Sequence, residues 1–210
     1  MLARDVMTSP VTTVTEDTRV KEAAGLLAAG GFTALPVVDT HGRLVGIVSE
    51  ADLVRGRFPR DPRALITAQR DVGQRPTAAA TVGEVMTTDV VRAAPGTDVV
   101  DLVTAMLDQH VRSVPVVEDD PGGGRVVGIV TRRDLVRALA RDDDAIAAAV
   151  RHRLEAYGGC HRWSVTVHDG EVDIGDTFDD PIDRHVAVVL AQSVPGVVSA
   201  QATGSVDRPV

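Results

Sequence analysis

The strongest constraint on this chain is that part of it is written twice. Val6-Met7-Thr8 returns as Val85-Met86-Thr87, 79 positions later. The same shift carries Val11 to Val90, Thr18 to Thr97, Val20 to Val99, Leu27 to Met106 and Pro36-Val37-Val38 to Pro115-Val116-Val117. After three extra residues around Pro121-Gly122-Gly123-Gly124 the shift becomes 82, and Gly46-Ile47-Val48-Ser49 meets Gly128-Ile129-Val130-Thr131. Asp52-Leu53-Val54-Arg55 then meets Asp134-Leu135-Val136-Arg137. These are two copies of one supersecondary unit, residues 3–56 and 82–139. A unit this short cannot bury its apolar face alone, so the copies are expected to pack on each other as a pseudo-symmetric pair.

Each copy reads the same way. Val20, Ala23, Ala24 and Leu27 form one helical face, which Val99, Leu102, Val103 and Met106 repeat. Thr18 or Asp17 can cap the first helix, Gly30-Gly31 ends it, and the second helix follows Thr97. A short strand at Ala34–Val38, a turn at Asp39–Gly42, a strand at Leu44–Val48 and a helix opening at Ser49 follow. A short opening strand is expected near Val11–Val14.

Residues 57–80 join the copies with three prolines and five arginines, which reads as a solvated linker with one helical turn at Ala64–Ala68. Beyond Ala140 the pattern changes. Asp142-Asp143-Asp144 can cap a helix with Ile146, Val150 and Leu154 on one face, stopped by Gly158-Gly159. Ser164–His168, the turn Asp169-Gly170 and Glu171–Ile174 read as a hairpin. Pro181 opens another helix, and Val197–Ala202 is a last strand. Residues 142–205 therefore form a small α-β-β-α-β unit, and the fold class of the whole is mixed α/β (α+β).

Charge and composition narrow the partners. Twenty-two basic and 30 acidic residues leave −8. Twelve acids and six arginines lie from Arg141 onward, so most of that charge sits in the last unit and phosphate-backbone binding is not expected. One tryptophan, one tyrosine and three phenylalanines supply almost no base-stacking platform. No apolar run approaches the roughly 20 residues of a membrane helix. Met1-Leu2-Ala3-Arg4-Asp5 lacks the apolar stretch of a signal peptide. With Cys160 alone no intrachain disulfide can form, so a reducing, cytoplasmic setting is expected. Cys160-His161 and His168 lack metal-ligand spacing, and no GxxxxGK[ST], GxSxG or HExxH occurs, so neither a metal nor a catalytic cofactor nor an enzyme is expected.

Val-Met-Thr near the start, an apolar-Pro-Val-Val segment and Gly-Ile-Val-(Ser/Thr)-x-x-Asp-Leu-Val at the end resemble CBS domains, and two in tandem resemble a CBS pair, or Bateman module. The last unit resembles a BON domain at Val165-x-Val167, Asp169-Gly170-x-Val172-x-Ile174 and Ser193-Val194-Pro195-Gly196-Val197, with Asp176 where that pattern has glycine. The first resemblance implies a regulatory sensor that binds an adenosine-type effector (AMP, ADP, ATP or S-adenosylmethionine) between the copies. It also implies association as a homodimer, for which Val20/Ala24/Leu27 and Val99/Val103/Met106 offer apolar stripes. The second implies contact with phospholipid or another apolar surface, which the acidic charge disfavours for anionic lipid.

Matched onto the family pattern, Thr12, Phe32, Thr33 and Ala34 would line a first pocket with Ile47, Ser49 and Asp52. Val91, Val111, Arg112 and Ser113 would line a second with Ile129, Thr131 and Asp134. A carboxylate at a helix start can accept both ribose hydroxyls, and Ser49 or Thr131 can donate to ribose or phosphate oxygen. Arg132 and Arg133 follow Thr131 where Glu50 and Ala51 follow Ser49, so the second pocket is expected to suit a phosphorylated ligand. The plainer alternative is that each Ser/Thr-x-x-Asp is a capping box, and that Arg132 and Arg133 point to solvent. The rival function is an interaction or scaffold protein, with an empty CBS pair and a working BON-like unit.

Overall fold

The computed structural model describes residues 1–58, 79–119 and 124–204. The linker expectation for 59–78, with its helical turn at Ala64–Ala68, and the glycine-rich insertion at 121–123 lie outside the described residues. In chain order the elements are α1 (Ala3–Val6), α2 (Val20–Gly30), β1 (Ala34–Val38), β2 (Leu44–Ser49), α3 (Glu50–Val54), α4 (Val99–Asp108), β3 (Ser113–Glu118), β4 (Arg125–Thr131), α5 (Arg132–Leu139), α6 (Asp143–Gly158), β5 (Trp163–His168), β6 (Glu171–Asp176), α7 (Pro181–Gln192) and β7 (Ser199–Gly204). The chain forms two compact units that cut across its sequence order: Met1–Thr8, Pro95–Thr104 and Val130–Val210 in one, Ser9–Ala94 and Ala105–Ile129 in the other.

In the unit of Ser9–Ala94 and Ala105–Ile129, β1 is buried along its whole length and pairs antiparallel with β2, placing Ala34 opposite Ser49 and Pro36 opposite Ile47. Leu35, Val37 and Val48 pack with Val20, Ala23 and Leu27 of α2 and with Leu53 of α3. Each such valine or leucine side chain contributes about 1.5–3 kcal/mol through removal of apolar surface from water. The expected opening strands reduce to single parallel bridges, Val14 to Val37 and Ala93 to Val116. The cap of α2 also differs from expectation. Thr18 Oγ1 accepts from the Thr15 backbone N–H, so Arg19 takes the cap position of α2 without a side-chain bond, and at the start of α4 Asp98 receives the Val100 N–H. The stripes expected at a dimer interface are mostly buried within the chain: Val20, Leu27, Val99 and Met106 are buried, while Ala24 is exposed.

In the other unit, Asp142 caps α6 through the Asp144 N–H, and Ile146, Val150 and Leu154 face a core with Val165, Val172, Ile174, Ala187 and Ala191. β5 and β6 form a hairpin, and β7 joins β6 in parallel. Asp169 and Gly170 both have positive φ, 50° and 77°, as a type I′ turn requires. The Asp143 carboxylate accepts the backbone N–H groups of both turn residues, so the start of α6 also holds the hairpin. Asp180 caps α7 at Ile182 and Asp183, with Pro181 in the first turn. Arg162 donates to both oxygens of buried Asp176 and pairs with Asp183, its guanidinium lying over the Trp163 and Phe178 rings.

Contacts cross the boundary expected near Arg141. Arg141 donates to the Pro195 carbonyl at 3.2 Å. A Cβ on Gly196 would stand 3.1 Å from the Ala138 carbonyl oxygen, so this close approach leaves no room for a side chain.

Candidate functional site

Two strand starts and one strand end build the candidate site. Thr33 precedes β1, and its hydroxyl lies 3.2 Å from that of Ser113, the first residue of β3. At the end of β2, Ile47 exchanges two backbone hydrogen bonds of 2.9 Å with Thr87. The segment 87–91 of the second repeat therefore runs beside the strand end of the first. A cavity of about 480 Å³ opens there, lined by Thr33, Ala34, Ile47, Ser49 and Asp52 and, from the second repeat, by Val91, Val111, Arg112 and Ser113.

The Ser49–Asp52 corner is the polar floor of this cavity. Asp52 Oδ2 accepts the Ser49 backbone N–H at 3.0 Å and the Ser49 hydroxyl at 2.6 Å. Asp52 Oδ1 accepts nothing among the described residues, and the residue is only half-buried. A carboxylate oxygen with its lone pairs open to a cavity can take hydroxyl donors. Ile47, Val90, Val91 and Val111 supply apolar wall beside it. The arrangement suits a ligand with one flat apolar face and a hydroxylated middle.

The matching corner of the second repeat is more buried. Asp134 is 8% exposed. Its Oδ2 accepts the Thr131 N–H at 2.9 Å and the Thr131 hydroxyl at 2.6 Å, while its own N–H donates to Thr131 Oγ1 at 3.3 Å. Its Oδ1 accepts from Thr8 at 3.4 Å and pairs with Arg137 at 3.5 Å. This is a reciprocal capping box, and Ser49 and Asp52 form one as well, so the plainer alternative is realised at both helix starts.

Around this cavity the residues group differently from the repeat-by-repeat expectation. Val91, Val111, Arg112 and Ser113 stand with Asp52, not with Asp134, because the start of β3 meets the start of β1 at the Thr33–Ser113 pair. Thr12 and Phe32 lie outside the cavity: Thr12 is exposed, and the Phe32 ring folds back over Gly30. Ile129 is buried, and Thr131, Arg132, Arg133 and Asp134 belong to the start of α5 and do not line it. Sequence reading set Glu50 and Ala51 beside the first pocket without naming them as lining, and it missed Thr87, Asp89, Val90 and His110; all six line the cavity. The signal for Thr87 was available in the doubled Val-Met-Thr. Among the described residues no group of three or more His, Cys, Asp and Glu side chains could hold a metal ion, and no helix is long and apolar enough to cross a membrane.

Comparison with known proteins agrees with the repeat. The CBS domain family model matches residues 3–58 and 82–141. An uncharacterized protein of Methanocaldococcus jannaschii, MJ1426, is 30% identical over 157 residues, covering 66% of this chain and 91% of that one. The CBS domain pair of protein MJ0100, solved in complex with 5′-methylthioadenosine and S-adenosyl-L-methionine, is 31% identical with a TM-score of 0.51, covering 67% of this chain and 96% of that one. CBSX2, solved in complex with AMP, is 31% identical with a TM-score of 0.52, covering 65% of this chain and 94% of that one. The doubled motif, the mixed fold and these matches agree: this chain belongs to the CBS domain family, as a tandem pair followed by a further α-β-β-α-β unit.

Proposed function

We propose that this protein is a non-catalytic regulatory sensor that binds an adenosine-type effector in the Asp52 cavity. The observation that carries the reading is the open Oδ1 of Asp52 on an apolar-walled cavity, where a ribose diol can be received. The complexes of MJ0100 and CBSX2 with adenosine compounds support it. Ile47, Val91 and Val111 would flank the base, Ser49 and Asp52 the ribose, and Thr33, Ser113 and Arg112 the remaining polar edge. The effector would act through its differential affinity for two states of the protein. We place it in the cytoplasm, as a homodimer. Val100 and Leu107, 71% and 56% exposed on α4, favour an apolar dimer face other than the stripes named from sequence. Light scattering that returns a 22 kDa monomer at every concentration would refute the dimer.

The test of function is a thermal-shift panel of adenosine, AMP, ADP, ATP, 5′-methylthioadenosine and S-adenosylmethionine. At 100 times the dissociation constant the linkage stabilisation is about 2.7 kcal/mol, a shift of several degrees. Asp52→Asn should abolish it, and Asp134→Asn should leave binding in place. Silence toward all six at millimolar concentration sinks the reading. A second reading is a scaffold role for residues 142–205 as a BON-like unit, favoured by Ile182, Phe178 and Val189, apolar side chains left exposed on and beside α7. Binding of that unit to neutral lipid vesicles, with an inert panel, would select it.

A further inference from the structure

Resting on the adenosine reading above, we infer that the Asp52 cavity selects against phosphorylated ligands and takes an adenosine whose 5′ substituent carries positive charge, such as a sulfonium amino acid. The charges lining the cavity are three carboxylates, Glu50, Asp52 and Asp89, against one guanidinium, Arg112. His110 also lines the cavity, with its Nδ1 donating to the Leu107 carbonyl at 2.7 Å.

Two backbone N–H groups at the start of α3 are already in use. Anion sites at helix starts work by presenting unused N–H groups. Here the Ser49 N–H is taken by Asp52 Oδ2 at 3.0 Å, and the Glu50 N–H by the Thr33 carbonyl at 3.2 Å. The helix that follows has five residues and a correspondingly small dipole. An AMP or ATP tail would meet carboxylates with one arginine to offset them. A sulfonium with an α-amino and an α-carboxyl group would meet both signs it needs, the cations facing Glu50, Asp52 and Asp89 and the carboxylate facing Arg112. The equivalent positions of the second repeat carry Arg132 and Arg133 where this cavity has Glu50 and Ala51, so the acidic lining belongs to this corner and not to the repeat as such.

Isothermal calorimetry on the full chain, at low and at 0.5 M salt, tests the selection with S-adenosylmethionine, 5′-methylthioadenosine, AMP and ATP. The expected order is S-adenosylmethionine tightest, the uncharged thioether next, AMP weaker and ATP weakest. Glu50 and Asp89 are exposed, so Glu50→Gln with Asp89→Asn should fold normally. That variant should narrow the gap between S-adenosylmethionine and AMP by about tenfold for each carboxylate neutralised, and high salt should narrow it in the unaltered protein. Tighter binding of AMP or ATP than of S-adenosylmethionine overturns the selection while leaving the adenosine reading intact. An unaltered order in the double variant shows that contact rather than charge sets the preference, which also overturns it. No heat with any of the four overturns both.

Discussion

Thr33 and Ser113 place their hydroxyl oxygens 3.2 Å apart across 80 residues of sequence, joining the starts of the two buried strands β1 and β3 at the edge of the cavity. Ser113 is buried and Thr33 half-buried, so the pair is a polar link with little water to replace it. Ser113→Ala should cost about 1 kcal/mol, the net value of one such bond. Thr33→Val together with Ser113→Ala should cost less than the two single changes added, because neither leaves a stranded partner. Urea denaturation of the four proteins gives the coupling, and strict additivity would show that the two hydroxyls do not interact.

Asp52 and Asp134 occupy equivalent places but should respond differently to truncation. Asp134→Ala removes the acceptor of the Thr131 N–H and hydroxyl and the contacts with Thr8 and Arg137, in a buried position. About 1–3 kcal/mol should be lost. Asp52→Ala opens a half-buried corner that water can reach, and should cost less than about 1 kcal/mol. Equal losses in chemical denaturation would show that Asp52 serves the fold as much as Asp134 does.

The Arg162 network should make the unit around α6 and α7 acid-sensitive. Hydrogen bonding from Arg162 holds the Asp176 carboxyl below the usual carboxylate range, and the Tyr157 hydroxyl and then Arg162 do the same for Asp183. A carboxyl depressed in the folded state binds protons more readily when unfolded. Its stabilisation is therefore complete above the unfolded value of about 3.9 and is lost as pH falls through the lower folded value. Trp163 is the only tryptophan, and it stacks on Arg162, so its fluorescence reports this unit. Unfolding followed by that signal should become easier below about pH 4. Arg162→Ala should cost about 3 kcal/mol at neutral pH and flatten the acid dependence, since Asp176 is left buried without a cation. An acid limb unchanged in this variant would place its cause elsewhere.

Gly196 should not tolerate a side chain. Its φ is 97°, and a Cβ would meet the Ile146 side chain at 2.7 Å and the Ala138 carbonyl oxygen at 3.1 Å. Gly196→Ala should cost about 1–3 kcal/mol, a fall in melting temperature that calorimetry would register. Gly25→Ala, in an exposed helical position with nothing within 4 Å, is the control and should be neutral or stabilising. A neutral Gly196→Ala would show that the seam between α5 and the last unit is loose.

Much of this protein was decided locally and could be read from residue order. The repeat, the strands at Ala34–Val38 and Leu44–Ser49, the helix that Asp142 caps and the Asp169-Gly170 hairpin all follow from periodicity, capping and turn chemistry, which act within a few residues. Residue order also placed Asp52 and Asp134 at equivalent helix starts. It could not say that Asp134 is the more buried of the two, because that depends on Thr8 reaching Asp134 from 126 residues away, with nothing similar reaching Asp52 among the described residues. Nor could it show that Arg112 shares a cavity with Asp52, since strand starts 80 residues apart meet only when their apolar faces are buried. Local rules choose elements, but burial chooses neighbours, and the charge and openness of a site are properties of neighbours.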